Sequence, residues 1–181
     1  MTVLAIESST RLVTSAVQRG GELVEVQDDG RPVEGLHDLV TRTLREAGVA
    51  ARDLEGIVVG GGPGSVVGVR SGVSFANALS YAVGCPIRTV GGLDSIAHAA
   101  GGGDLVVAID AGRGRLYVAR YRNGEREARP ELVEEADAPE GVLRHRLPRA
   151  GEHLALAAEA PHLAVGGGVA SARPLDLQRP A

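Results

Sequence analysis

Three short stretches carry residue types that could hold or transfer a charged group. The first is Glu7-Ser8-Ser9-Thr10, an acid followed by three hydroxyls at the end of an apolar run. Such hydroxyls can donate to a phosphate, and they are equally ordinary as hairpin-turn residues. The second is Asp110-Ala111-Gly112, which could complement the first from another hairpin. The third is Gly60-Gly61-Gly62-Pro63-Gly64, a turn joining a buried strand to a helix. Backbone N–H groups at a helix start can hold an anion without any specific side chain; the competing reading is a tight structural turn. On the binding reading, a nucleotide or anion would meet Glu7, Ser8, Ser9, Thr10, Gly62, Gly64, Asp110 and Gly112.

The familiar phosphate loops do not match. A Walker A loop needs Lys-Ser/Thr after its last glycine, to reach the terminal phosphates and ligate magnesium. Here Gly68 is followed by Val69-Arg70. The dinucleotide fingerprint Gly-x-Gly-x-x-Gly fails from Gly60, where Ser65 takes the third place, and from Gly62, where Val67 does. His37, His98, His145, His153 and His162 are scattered, with no i,i+4 pair and no carboxylate at metal spacing, so no metal site is expected. Cys85 precedes Pro86 at a helix end and reads as a small buried apolar residue rather than a nucleophile.

The elements that must position these residues follow from periodicity. Val3–Glu7, Leu12–Arg19 and Glu22–Gln27 read as strands, with Arg19-Gly20-Gly21 as a tight turn. Leu36, Leu39, Val40, Thr43, Leu44 and Ala47 recur at helical spacing, with Asp38 and Arg42 as an i,i+4 charge pair and Gly48 closing the helix. Ile57–Val59 is a buried strand, Val66–Val83 a helix ending at Gly84, Ile87–Val90 a strand and Leu93–Ala100 a short helix. Leu105–Asp110 and Leu116–Arg122 are strands around Ala111-Gly112-Arg113-Gly114. Residues 107–125 lie on residues 4–22 at one constant offset, with Ala5/Ala108, Ile6/Ile109, Ala16/Ala119, Arg19/Arg122, Gly21/Gly124 and Glu22/Glu125 identical. Val59-Gly60-Gly61-Gly62 recurs in the same order as Val165-Gly166-Gly167-Gly168, which suggests a duplicated unit. The second copy is incomplete: residues 123–162 are charged, dotted with proline and weakly periodic.

The helix after the glycine turn carries Gly64, Gly68, Gly72, Ala76, Ser80 and Gly84 at four-residue intervals. Residues four apart sit on neighbouring turns, so they form a stripe that something can approach closely. Each mid-helix glycine costs about 1 kcal/mol against alanine, so close packing there is expected. The neighbour is either this chain's own sheet or first helix, or a partner protein.

At 181 residues the chain spans one large or two small domains, long enough to bury roughly two thirds of its unfolded surface. Only 2% of residues are aromatic, so the core must be built from Val, Leu, Ile and Ala. A net charge of −4 argues against gripping nucleic acid by bulk charge; an RNA contact would need a local patch or a more basic partner. One cysteine allows no intrachain disulfide and favours a reducing compartment, and no signal peptide or membrane-length apolar run is read, so the cytoplasm is expected.

Several segments together resemble the bacterial TsaB (YeaZ) family. They are Leu4–Thr10, Gly62-Pro63-Gly64-Ser65-Val66-Val67-Gly68-Val69-Arg70-Ser71-Gly72, Ala78–Pro86, Leu93–Ala97 and Ala108–Tyr117, with a closing Arg173–Pro180 that looks like the family's tail. The resemblance implies an α/β fold of the actin/Hsp70/sugar-kinase (ASKHA) type, with duplicated βββαβα units and a reduced second half. It implies an N-terminal subdomain over residues 1–100 and a shortened second one over 101–181.

It also implies a non-catalytic partner of the TsaD threonylcarbamoyltransferase in making threonylcarbamoyladenosine (t6A) on tRNA, with TsaE and tRNA reached through TsaD. The family's two N-terminal helices bind TsaD or a second TsaB, which puts Leu36, Leu39, Val40, Thr43, Gly64, Gly68, Gly72, Ala76 and Ser80 at the interface. ATP or ADP with magnesium would sit at a subunit interface, and no firm cofactor is expected. The TsaD branch carries a paired-histidine metal motif where this chain has only His98. Departures from the family pattern are Glu7-Ser8-Ser9 where Asp-Thr-Ser is commoner, Val66-Val67 where Phe-Thr is commoner, and Gly35-Leu36-His37-Asp38 at the first helix. They leave an alternative: a divergent paralogue acting as an ASKHA nucleotide-binding phosphotransferase or ATPase, or as a scaffold for another carbamoyl-transfer enzyme.

Overall fold

A computed structural model describes residues 1–28, 35–143, 146–161, 164–166, 168 and 172–173. His145, His162, Gly167 of the second glycine turn and residues 174–180 of the family-like tail lie outside the described residues.

Strict alternation builds the central strand β1 (Thr2–Glu7): Leu4 and Ile6 point to one face, Val3 and Ala5 to the other, and all four are buried. β1 pairs antiparallel with β2 (Val13–Arg19), and β2 with β3 (Glu22–Asp28). On its other side β1 runs parallel to β4 (Gly56–Gly60), and β4 parallel to β5 (Ile87–Val90).

Helices cover both faces. α1 (Leu36–Glu46) and α2 (Val66–Val83) bury Leu36, Leu39, Val40, Leu44, Val69, Val73 and Ala76 with Leu4, Ile6, Ile57 and Val59. α4 (Ala150–Glu159) packs Ala150, Leu154 and Leu156 on Val3, Ala5, Ala16 and Val58 from the other side. The end signals of α2 are local. Ser65 caps it by accepting the Gly68 N–H at 3.2 Å, and Gly84 ends it at φ 74°, in the left-handed region.

The second sheet forms on the second hairpin, β6 (Leu105–Gly112) and β7 (Arg115–Arg122). Like β1–β2 it is an antiparallel hairpin, but its register differs by one residue: Ala5 pairs with Ala16, whereas Ala108 pairs with Val118 and Ala119 with Val107. β8 (Glu125–Arg126) and β9 (Glu131–Glu134) both pair with β7, and α3 (Gly92–Ala99) covers one face through Leu93, Ile96 and Ala97.

Three expectations change. The second glycine stretch is not a counterpart of β4: β10 (Val165–Gly166) joins the first sheet antiparallel to β5. Residues 123–162 contain β8, β9 and α4. That helix escaped periodicity because its buried face mixes Ala150, Leu154 and Leu156 with His153. Arg42 does not pair with Asp38; its Nη2 donates to the Gln27 carbonyl at 3.0 Å and ties α1 to β3. The two sheets part between α3 and β6, while α4 and β10 return to the first sheet.

Candidate functional site

β1 ends in a buried carboxylate. Glu7 is fully buried, one oxygen accepts the Ser9 N–H, and Oε2 lies 2.6 Å from His153 Nε2. His153 Nδ1 is 2.6 Å from Ser95 Oγ, which is 3.1 Å from the Gly91 carbonyl. Gly60 makes room for this chain of groups, since a Cβ there would collide with the Glu7 carboxylate. Ser95, His153 and Glu7 have the composition of a nucleophilic triad, but all three are fully buried.

Beyond Glu7 the chain turns against the start of α2. Ser8 Oγ donates to the Gly68 carbonyl at 2.9 Å, and the Ser65 N–H donates to the Ser9 carbonyl at 2.7 Å. A Cβ on Gly64 would strike the Ser9 carbonyl, on Gly68 the Ser8 carbonyl and on Gly72 the Ser8 hydroxyl. The small-residue stripe thus receives this chain's own first turn. Further along α2, Ser80 Oγ donates to the Cys85 carbonyl at 2.6 Å and Asn77 holds the Ala172 backbone from both sides.

An open cleft of about 440 Å³ lies between the two hairpins. Ser8, Ser9, Thr10 and Arg11 line it from the first turn, Gly64, Ser65, Val67 and Gly68 from the start of α2, and Ile109, Asp110, Ala111 and Gly112 from the second hairpin. The cleft therefore gathers Ser8, Ser9, Thr10, Gly64, Asp110 and Gly112 of the expected binding set. It does not include Glu7, which is sealed inside with His153, or Gly62, whose carbonyl accepts the Gly92 N–H at 2.9 Å. Thr10 Oγ1 donates to the Leu12 carbonyl at 3.2 Å, and Asp110 Oδ1 accepts the Gly112 N–H at 2.7 Å. Arg11, Ser65 and Val67 were not read as site residues. Ser65 had a legible signal as the helix cap; Arg11 had none.

The expected interface residues are turned inward as well. Leu36, Leu39, Val40, Thr43, Gly68, Gly72, Ala76 and Ser80 are buried within the chain, and Gly64 is half-buried. Apolar and small side chains at helical spacing are what α1 and α2 need to pack on their own sheet. The outward face of α2 instead exposes Val66 (62%), Val67 (62%) and Tyr81 (78%), with Arg70, Ser74 and Ala78 between them.

Away from the cleft, Asp94 of α3 accepts from Tyr121 Oη at 2.8 Å and Arg126 Nη1 at 3.2 Å, tying α3 to the second sheet. Burial raises the Asp94 carboxyl above the ordinary carboxylate value, partly offset by Arg126 and the Tyr121 bond. Burial, and then the Asp94 carboxylate, hold the Tyr121 phenol well above its ordinary value. Burial also raises the Cys85 thiol.

A magnesium nucleotide needs oxygen ligands for its cation, commonly carboxylates beside the phosphates. Of the two hairpin acids only Asp110 faces the cleft, with one oxygen already on its own loop, and both Glu7 oxygens are engaged in the interior. Among the described residues no three His, Cys, Asp or Glu side chains come together. A cation in this cleft would meet one hairpin carboxylate, that of Asp110.

The sequence profile of the family described as TsaD, tRNA N6-adenosine threonylcarbamoyltransferase, matches residues 32–175. An uncharacterized protein of Mycobacterium tuberculosis is 38% identical over 163 residues, 86% of this chain and 75% of its own length. The tRNA threonylcarbamoyladenosine biosynthesis protein TsaB of Bacillus subtilis is 32% identical over 135 residues, 68% of this chain and 57% of that protein. TsaB of Escherichia coli is 31% identical over 155 residues, and the match spans 65% of its length. The structure of YeaZ from Pseudomonas aeruginosa superposes with a TM-score of 0.80 at 23% identity, covering 97% of this chain and 99% of that one.

Two hairpin-led sheets facing each other across a cleft, with helices on both faces of the first, define an α/β protein of the ASKHA type. Within that class the chain belongs to the TsaB (YeaZ) family.

Proposed function

We propose that this chain is a non-catalytic partner of a TsaD-type threonylcarbamoyltransferase in t6A modification of tRNA, docking through the outward faces of α1 and α2. The carrying observation is that α2, whose inward face is fully used by its own fold, still exposes Val67 and Tyr81 on the opposite side. Exposed aromatic side chains such as Tyr81 are enriched at the centres of protein interfaces. His37, Asp38, Thr41 and Arg45 on α1 supply a polar border. TsaE and tRNA would be reached through the TsaD-type partner, in the cytoplasm. Residues 1–100 form the partner-binding half in this reading, and 101–181 the shortened second half.

Co-purification with a TsaD-type protein tests it. Val67→Glu with Tyr81→Glu should abolish the complex while circular dichroism stays unchanged, and t6A synthesis by the reconstituted system should fall with it. A complex that survives both substitutions would remove α2 from the interface. Light scattering of the chain alone reports whether the same face pairs two copies when no partner is present.

A further inference from the structure

We propose that the buried chain Glu7–His153–Ser95 is a positioning relay, which fixes the exposed start of α2 to α3 and, through Asp94, to the second sheet. The consequence for a partner rests on the docking proposed above; the fixing of α2 does not.

The links follow one another directly. The Ser65 N–H, at the cap of α2, donates to the Ser9 carbonyl at 2.7 Å, and the Ser9 N–H donates to one Glu7 oxygen. The other Glu7 oxygen lies 2.6 Å from His153 Nε2, and His153 Nδ1 lies 2.6 Å from Ser95 Oγ on α3. The residue before it, Asp94, turns to the second sheet, where Tyr121 and Arg126 donate to it at 2.8 and 3.2 Å. α3 therefore holds the first sheet through Ser95 and the second through Asp94. Its first residue adds a separate tie, because the Gly92 N–H donates at 2.9 Å to Gly62, in the turn that precedes α2. A Cβ on Gly92 would come 3.1 Å from Pro148 and 3.3 Å from Ile109 of the second sheet, so α3 is wedged there as well.

Stability alone does not call for such a chain. The surrounding core is built from Val, Leu, Ile and Ala. Glu7, His153 and Ser95 are 0% exposed, and burying polar groups costs free energy that apolar side chains of similar volume avoid. Gly60 adds to that cost, since a glycine weakens a strand interior, and this one leaves the Glu7 carboxylate its space. What hydrogen bonds supply beyond apolar packing is a fixed distance and direction. The element fixed here is the end of α2 that exposes Val66 and Val67. The other end of α2 is held by neighbours in sequence: Gly84 donates to the Ser80 carbonyl, and Ser80 Oγ to the Cys85 carbonyl.

Amide hydrogen exchange on the full chain, followed by NMR, tests the relay with no partner present. Ser95→Ala should speed exchange at Ser65, Gly68 and Val69 by about five-fold or more, the scale of one lost buried hydrogen bond, while Gly84 keeps its rate. Ser95→Cys, which keeps a weak donor and acceptor, should give a smaller rise. Ile96→Val, a buried change at the next position of α3, should leave the start of α2 as it is. Thermal melting confirms that each variant is folded. Unchanged exchange at the start of α2 in Ser95→Ala, a rise that spreads evenly to Gly84, or one that Ile96→Val reproduces would each overturn the proposal. In the complex with a TsaD-type protein, Ser95→Ala should weaken binding by about three-fold or more, although Ser95 is fully buried and out of a partner's reach. Unchanged affinity would overturn the coupling to docking. Failure of the native chain to form any complex would remove the docking reading, and the exchange rates would still decide the relay.

Discussion

Glu7 and His153 stand 146 residues apart in the chain and meet at 2.6 Å in the interior, both fully buried. The contact joins the end of β1 to the middle of α4, and through Ser95 it reaches α3. It also explains Gly60, the neighbour on β4 whose missing side chain leaves the carboxylate its space.

Breaking that contact from one side should be severe. His153→Ala leaves the Glu7 side chain buried with only the Ser9 N–H, and leaving a buried polar group without its partner costs about 1–3 kcal/mol, more if it is charged. Urea unfolding monitored by circular dichroism measures it. A loss below about 1 kcal/mol would mean that water or a shift of α4 replaces the imidazole.

Substitution on the α2 stripe should damage the fold before it touches any partner. Gly72→Leu puts a branched side chain where the Ser8 hydroxyl sits, and overpacking of this kind costs about 1–3 kcal/mol. Ala78→Leu, on the exposed face of the same helix, should change stability by less than about 0.5 kcal/mol. Equal melting temperatures for the two variants would contradict the inward orientation of the stripe.

The Asp94 carboxyl gives stability a defined pH dependence. Burial raises it above its ordinary value of 3.8, so the folded state holds its proton more tightly than the unfolded chain does. Below 3.8 both states are protonated and Asp94 carries no ionisation penalty. As pH rises from there through the folded value, its contribution to stability declines, and above that it is flat. The stability of the native chain minus that of Asp94→Asn should therefore fall across this window. A difference that rises with pH would show that Arg126 outweighs burial.

Cys85 should be inert in the folded protein. It is 4% exposed and burial raises its thiol, so little thiolate forms near neutral pH. Iodoacetamide at pH 8 should label it only after unfolding in urea. Rapid native labelling would place it in an opening segment beside Ser80, which bonds its carbonyl.

Much of the first sheet was legible because its signals are short-range. Leu4 and Ile6 alternate with Val3 and Ala5, Ser65 sits one residue before a helix, and Gly84 sits one residue after it; neighbours alone decide such features. The cleft was partly legible for the same reason. Both hairpin turns carried their polar residues in view, and Asp110 and Ser9 do face one cavity. α4 was missed because its buried face spends a position on His153, which no hydrophobic pattern anticipates.

The amino-acid sequence by itself determined the strands, the helix ends, the repeated hairpin and the family, all properties of local spacing or of motif. It also determined that something must lie close against Gly68 and Gly72. Only the tertiary structure decided what that was: this chain's own Ser8, rather than another protein. It likewise decided that Glu7 faces inward to His153 while Ser9 Oγ, among the described residues, is buried without a partner. The physical reason is the same in both cases. Periodicity tells which face of an element must be covered, but the covering atoms come from residues distant in the chain, and packing brings them together.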